Sequence, residues 1–533
     1  SRVRAFQPRD MIVFLDVAVG LNPDRGPDDR QRTLYQAIAW SYRLLNAEQQ
    51  ALLRRLTVFA GSFTLDAAVQ VAADHELEGA DVVRLLPELI DHSLVEVRRS
   101  GSSTRYRILE AIRTFAAFDD SDRGLFADRH SGYFAKLVAE AESQLRGPGQ
   151  HRWLQFLDDD IDNLRLALAN SLASGNVETA WGLIEGSVMF WEYSGRRWEG
   201  VEWVRKAFAA DTGAVSRTIA RGQAAAAWML TSHDTHETRS AAEKAMATAD
   251  AVGDSVAYQR ARVALGWTLA HYRRAEAAAM LAEAASFFAS QGERWWQSFA
   301  LIRLGSIQPD GDELERGGRL LGEIGDDRTA LMAKRMFAAN LVGKNKPEAA
   351  FRVAEEGLHL AERMGSLHDR GEFLRFQAAA HMLSDRLESA DELFSEAIPL
   401  LQKSGDLRCS ARSFAQHGVV LARLGRQEEA RTAFANAWEL ASAVYDPSVL
   451  HLSLRGLLLI SDDETAVALQ AAAERIRQSA DISVYPGLAT DQHMTEVRSR
   501  LDPAVYLSAW ERGTTLDPLE IVQEATAARP QRR

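Results

Sequence analysis

Residues 345–384 read NKPEAAFRVAEEGLHLAERMGSLHDRGEFLRFQAAAHMLS, and residues 385–424 read DRLESADELFSEAIPLLQKSGDLRCSARSFAQHGVVLARL. Laid over each other without a gap, they match Ala350 to Ala390, Leu360 to Leu400 and Gly365 to Gly405. The register continues through Ala430 and Leu440, and Phe394 meets its counterpart in Phe434. Midway between the glycines stand Asn345, Asp385 and Gly425, residues that tolerate left-handed backbone and so suit tight turns. Working outward, a Gly recurs at Gly213, Gly253, Gly292, Gly325, Gly365 and Gly405, with intervals of 40, 39, 33, 40 and 40. Tyr445-Asp446 takes the next slot. Each unit predicts a helix, a tight turn, a second helix and a Gly-containing turn. One such pair cannot bury its apolar face alone, so neighbours must stack into a solenoid.

The pattern resembles the architecture of the tetratricopeptide repeat, with each helix about three residues, or roughly 4.5 Å, longer. Composition agrees with helix throughout: Ala, Leu, Arg and Glu dominate the 533 residues, and strand-type runs are scarce. The exception is residues 93–109. Ser93-Leu-Val-Glu-Val-Arg98, a turn at Ser100–Ser103 and Tyr106-Arg-Ile-Leu109 alternate as a hairpin does. Helices are expected before it, with Asn46 and Gln49 forming a capping box and Thr64 capping a short helix from Leu65. A closing helix, Glu110–Phe118, is expected after it. Helices, hairpin, helix is the order of a winged helix. The fold class is therefore all-α, a winged-helix-like domain followed by an α-solenoid of helix pairs about 40 residues long. The expected divisions are a linker over 1–30, the winged helix over 31–120 and a helical linker with the first helix pairs over 121–212. The repeats then occupy 213–460, and capping helices with a tail occupy 461–533.

Net charge is −12, against a broad nucleic-acid footprint. The recognition-helix position, Asp81 to His92, sets Arg84 against Asp81, Glu88 and Asp91, an acidic surface that phosphates would repel. Packing within the chain, not direct nucleic-acid binding, is expected of this module. A single cysteine, Cys409, rules out an internal disulfide and reads as a small core residue in a reducing cytoplasm. No run approaches the ~18 apolar residues of a membrane span. The chain starts at Ser1 without an initiating Met, which suggests trimming or an excised fragment.

No catalytic motif stands out. Gly343-Lys344-Asn345 lacks the remaining glycine and hydroxyl of a phosphate loop. Asp158-Asp-Asp-Ile-Asp-Asn163 lacks the Gly and Glu of a calcium loop. His233-Asp-Thr-His236-Glu237 falls in a repeat turn, where polar residues are expected without a metal. The expectation is a non-enzyme with no metal and no cofactor of its own.

Five blocks in order carry a further resemblance. They are Arg32-Thr33-Leu34 with Ala39-Trp40-Ser41-Tyr42-Arg-Leu-Leu45, then Arg54-Arg-Leu-Thr-Val-Phe-Ala-Gly-Ser-Phe-Thr-Leu65, then Leu89-Ile-Asp-His-Ser-Leu-Val95. Tyr106-Arg-Ile-Leu-Glu-Ala-Ile-Arg113 and Asp162-Asn-Leu-Arg-Leu-Ala-Leu168 complete the set. Over residues 1–210 the chain is similar to actinobacterial STAND-type (NB-ARC/AP-ATPase-like) signal-transduction ATPase regulators, including large LuxR-type transcriptional regulators. The resemblance implies a sensor arm coupled through the winged helix to an ATPase switch. ATP or ADP would belong to an NTPase module whose motifs are absent here, with residues 1–30 as its tail. The nucleotide-sensing Met-His-Asp of the related plant-type winged helix is replaced by Ile108-Leu109-Glu110. The other reading is a free-standing repeat scaffold for proteins.

Nine of the twelve tryptophans lie between Trp153 and Trp296. Trp181, Ile184, Val188 and Trp191 follow a helical stripe and read as core. Trp228 and Trp267 occupy nearly equivalent slots in successive first helices, which line the concave face of repeat solenoids. Arg262, Arg303, Arg335 and Arg375 are expected on the same face, where aromatic planes beside guanidinium groups suit an anionic or aromatic effector or an acidic peptide.

Overall fold

The structure, a computed structural model, describes residues 36–100, 103–116, 120–231, 235–270, 273–308, 312–444, 446–479 and 490–526. The expected linker over 1–30, the turn residues 101–102 and the final tail lie outside the described residues. The chain forms two compact units, one holding residues up to 300 with 324–326, the other 301–323 with 327 onward.

The first unit opens with the winged helix. Asn46 and Gln49 form the expected reciprocal box at the start of helix Ala47–Leu56, with bonds of 2.8 and 2.9 Å. Thr64 caps Leu65–Ala72. Helix Gly79–Asp91 then leads through Ser93, at φ 59°, into strands Glu96–Ser100 and Ser103–Arg107. Val97 pairs with Tyr106 in their antiparallel register, and Phe63 bridges to Tyr106, which joins the loop after the first helix to the wing. Leu52, Leu53, Leu56, Val71, Val82, Leu85 and Leu89 are buried and form the three-helix core. The closing helix is present as Glu110–Ala116, and its expected end at Phe118 lies outside the described residues.

Beyond it the unit is helical. Asp120–Leu145, Gln150–Asp159 and Ile161–Ala173 precede the pairs Val177–Tyr193/Arg197–Ala209, Arg217–Leu230/Thr235–Val252 and Ser255–Leu269/Arg274–Gln291. In the second unit the pairs are Asp327–Gly343/Pro347–Arg363, Leu367–Leu383/Leu387–Ser404, Leu407–Arg423/Gln427–Ala443 and Pro447–Leu458/Asp463–Ser479. The last of these continues the stacking past residue 460. Ala466, Leu469 and Ala472 keep a buried small-apolar stripe there, and Asp462 caps the helix with no glycine turn before it.

Every glycine of the sequence register has positive φ, from 66° at Gly253 and Gly365 to 82° at Gly325. Asn345 (φ 54°) and Asp385 (φ 60°) adopt the same left-handed geometry as Gly425. The 33-residue interval between Gly292 and Gly325 also has a structural counterpart. Its second helix, Glu313–Ile324, has 12 residues where neighbouring second helices have 17 or 18. Beside it, in the second unit, an open groove of about 660 Å³ is floored by Leu314, Ala333, Phe337 and Val353.

Some first helices of the pairs are buried almost all round. In Leu367–Leu383, Gly371 to Ala380 are all buried, Glu372 and Arg375 included. Small residues permit this. A Cβ on Gly357 would lie 2.2 Å from the Phe373 ring. Gly357→Ala is therefore expected to destabilise the second unit by about 1–3 kcal/mol through overpacking. Gly343→Ala, where a Cβ meets nothing within 4 Å, should change stability by no more than about 0.5 kcal/mol. Urea unfolding of the two variants checks the contrast.

Candidate functional site

The six residues expected on one effector face divide between the units. Trp228 and Trp267 do come together in the first. Phe299 sits between them, edge-on to Trp228 at 5.7 Å and stacked on Trp267 at 5.4 Å with 13° between planes. Trp295 stacks on the other side of Phe299 at 5.2 Å. Trp228 is buried and Trp267 half-buried. Arg262 does not join them: its guanidinium bonds Glu283, 2.6 Å away on helix Arg274–Gln291. In the second unit, burial pushes the Arg303 guanidinium down to about 10. Arg335 lies 3.2 Å from Asp369, and Arg375 bonds both oxygens of Glu372 (2.8 and 3.1 Å) and the Gln416 side chain. Burial alone would raise the Glu372 pKa, but Arg375, Arg335 and His368 hold it at about 2. Arg262, Arg335 and Arg375 thus carry matched charge, not a bare cationic face.

Different arginines meet the tryptophans. Arg197 lies 5.6 Å from the Trp228 centroid, Arg146 4.6 Å from Trp295 and Arg260 5.1 Å from Trp296. Wholly buried Asp326 accepts from Trp295 Nε1 at 2.7 Å, Gln150 Nε2 at 2.8 Å and the Tyr193 hydroxyl at 3.2 Å. Repeat counting could not find Arg146, Gln150 or Tyr193, because they come from helices outside the 40-residue register.

The most heavily built polar site joins the winged helix to the helices behind it. Arg105 leaves strand Ser103–Arg107 and is 1% exposed. Its guanidinium donates to both oxygens of Asp160, at 2.5 and 3.1 Å, and to the hydroxyl and carbonyl of Ser62, at 2.8 and 3.0 Å. Asp160 occupies the corner between Gln150–Asp159 and Ile161–Ala173. Buried Asn163 takes the same turn from the other side. Its oxygen accepts from the Ala60 and Gly61 N–H groups (2.9 and 3.3 Å), and its nitrogen donates to the Ser62 carbonyl at 2.7 Å. Arg165, two residues further, bonds both oxygens of Glu199 at 2.6 and 2.7 Å, reaching helix Arg197–Ala209. That partner lowers the Glu199 pKa. Two sequence blocks about 100 residues apart, around Phe59–Phe63 and Asp162–Arg165, thus form one joint.

Behind the joint, His130 is fully buried against Phe59 and Phe134, with ring centroids 5.3 and 4.7 Å away. Burial pushes its pKa down to about 4, and nearby Asn163 opposes the shift. On the outward face of Gly79–Asp91, Arg84 bonds Glu48 and Asp81, each at 2.9 Å, while Glu88 accepts from Gln49. In the Ile108-Leu109-Glu110 stretch, Ile108 is buried and Glu110 pairs with Arg113.

Two predictions follow from this geometry. Asp160→Ala leaves Arg105 charged and buried without its partner, and should cost about 3–5 kcal/mol in urea unfolding. The double change Arg105→Met with Asp160→Leu should restore most of that loss, because no lone charge remains. For His130 the folded pKa of about 4 lies below the unfolded value near 6.5, so the unfolded state binds the extra proton. This contribution is complete above about pH 6.5 and is lost as pH falls toward 4, a change of about 3 kcal/mol at 1.4 kcal/mol per pKa unit. His130→Phe should flatten the pH dependence of the melting temperature in that window.

The winged-helix part of this architecture agrees with a known family. Residues 45–120 match the family model described as a winged helix-turn-helix domain. A sequence-predicted HTH-type transcriptional regulator of Mycobacterium tuberculosis (strain H37Rv) is 32% identical over 308 residues, which is 55% of this chain and 35% of that protein. An uncharacterized protein of the same strain is 38% identical over 121 residues, covering 22% of this chain and 29% of its own length. The chain thus spans about a third of the length of the curated relatives it matches. A crystal structure of a Pyrococcus horikoshii STAND protein with a tetratricopeptide repeat sensor superposes at TM-score 0.44. It is 12% identical, covering 96% of this chain and 72% of that one. Among the described residues, no helix is long and apolar enough to cross a membrane. The chain contains a winged helix-turn-helix domain followed by stacked helix pairs, and it is homologous to sequence-predicted HTH-type transcriptional regulators.

Proposed function

We propose that this chain is the regulatory and sensor arm of a STAND-type transcriptional regulator. In this reading the helix pairs receive a protein or small-molecule effector, and the winged helix passes the event to an ATPase switch. The joint is the observation that carries it. A winged helix that read DNA independently would need no buried bidentate ion pair to the helices behind it. Here Arg105 and Asn163 fix the Ala60–Ser62 turn to the Asp160 corner, so a shift of the first helix pairs must move the wing. The outward helix Gly79–Asp91 has Arg84 already neutralised by two carboxylates, which supports an intramolecular role over direct contact with nucleic acid. Effector capture falls best on the aromatic side of the expected face, with Trp228 and Trp267 gathered on Phe299.

The nucleotide would be held by an NTPase module of the same regulator, since the sequence offers no loop of backbone N–H groups to cradle phosphates. Isothermal calorimetry of this chain with ATP is expected to show no heat of binding at micromolar concentrations. In the regulator as expressed from its gene, Asn163→Ala should alter effector-dependent ATP turnover while leaving ATP affinity unchanged. Trp267→Ala should weaken the response to effector. Turnover and reporter output that match the parent in both variants, with folding intact, would sink the coupling role and leave a scaffold.

A further inference from the structure

Cys409 does not sit in the apolar core expected of a single cysteine but lies at its edge. It is half-buried in the first turn of helix Leu407–Arg423, in the second unit. The stacking register explains what it faces. Residues 41 apart on successive first helices come into contact, as the 3.2 Å bond from Arg375 to Gln416 shows. The same offset, less than two turns earlier, pairs Cys409 with His368. Asp406 completes the group: its Oδ1 is held by the Cys409 N–H at 2.8 Å, and its Oδ2 faces His368 Nδ1 at 3.6 Å. One ligand atom from each of His368, Asp406 and Cys409 lies within 4.8 Å of the others.

We propose that His368, Asp406 and Cys409 form a binding site for a thiophilic divalent transition metal, zinc above all. Imidazole nitrogen, carboxylate oxygen and thiolate sulfur are the three donors that zinc accepts, and a water would fill the fourth tetrahedral position. Zinc binding replaces the thiol proton, which leaves to solvent, and the cation balances the thiolate and the Asp406 carboxylate. The site bridges the N-terminal ends of two neighbouring first helices, so the metal would fix the angle between successive repeats. Arg335 is the competitor. Its Nη1 lies 2.5 Å from His368 Nε2, while its Nε lies 3.2 Å from Asp369. With the metal on Nδ1, neutral imidazole carries its proton on Nε2, and the guanidinium must withdraw toward Asp369.

The test uses the full chain, free of any affinity tag, titrated with cobalt(II) and then with zinc(II). One equivalent of cobalt is expected to produce an intense thiolate-to-cobalt charge-transfer band. The chain has one cysteine, so such a band identifies Cys409 directly. Cys409→Ser should abolish it, and His368→Ala should weaken zinc binding on the order of 100-fold. Arg335→Gln should tighten zinc binding, because the Gln oxygen accepts from Nε2–H. An unchanged melting temperature of Arg335→Gln distinguishes this gain from ligands exposed by unfolding. Absence of the band at one equivalent, or zinc affinity indifferent to both Cys409→Ser and His368→Ala, overturns the site.

Discussion

A pair of helices has more apolar surface than the two can cover for each other, and this constraint organises most of the molecule. Each first helix must be enclosed by its own partner and by neighbours on either side. Side chains at the crossings then have to be small, and Ala350, Ala390 and Ala430 are each 0% exposed. Where a large ring does enter, a glycine makes room: Phe434 sits over both Gly418 and Gly456. Enclosure also fixes the fate of polar residues on the first helices. Glu372, Arg375, Gln377 and Gln416 are all buried, and a buried charge is tolerable only when paired and hydrogen-bonded. On helix Leu367–Leu383 this leaves Arg375 in a network with Glu372 and Gln416 instead of an open cationic surface.

The same demand shapes the junction with the winged helix. Burying Arg105 requires a full set of acceptors, and Asp160, the Ser62 hydroxyl and the Ser62 carbonyl supply it. Removing one member strands the others in a low-dielectric interior, so the network behaves as a unit. Mechanically, wing, turn and helix corner move together or separate at substantial cost. That rigidity suits a coupling element, and it gives physical content to two sequence blocks otherwise recognisable only by resemblance.

The 33-residue interval shows how a break in the register becomes a feature. A second helix of 12 residues cannot cover what one of 17 or 18 would. The uncovered strip beside it leaves Phe337 half-exposed. Nothing in the local propensities of Glu313–Ile324 announces this groove. It follows from comparing one repeat with its neighbours.

The sequence alone determined the element types, the turn residues and the repeat spacing. These depend on local backbone preference: left-handed geometry at Gly365, Asn345 and Asp385, side-chain caps at Asn46 and Thr64, and apolar residues at helical period. It also placed Trp228 and Trp267 in nearly equivalent slots of successive first helices, since repeat register sets helix face. Which charges would meet was not legible. Arg146 and Arg260 reach the tryptophans, while Arg262 turns to Glu283, because rotamers and the approach of distant helices decide where a long side chain ends. Cys409, the single cysteine, read as a small core residue. Only the 41-residue offset between stacked helices sets it beside His368, and that offset belongs to the packing of whole repeats.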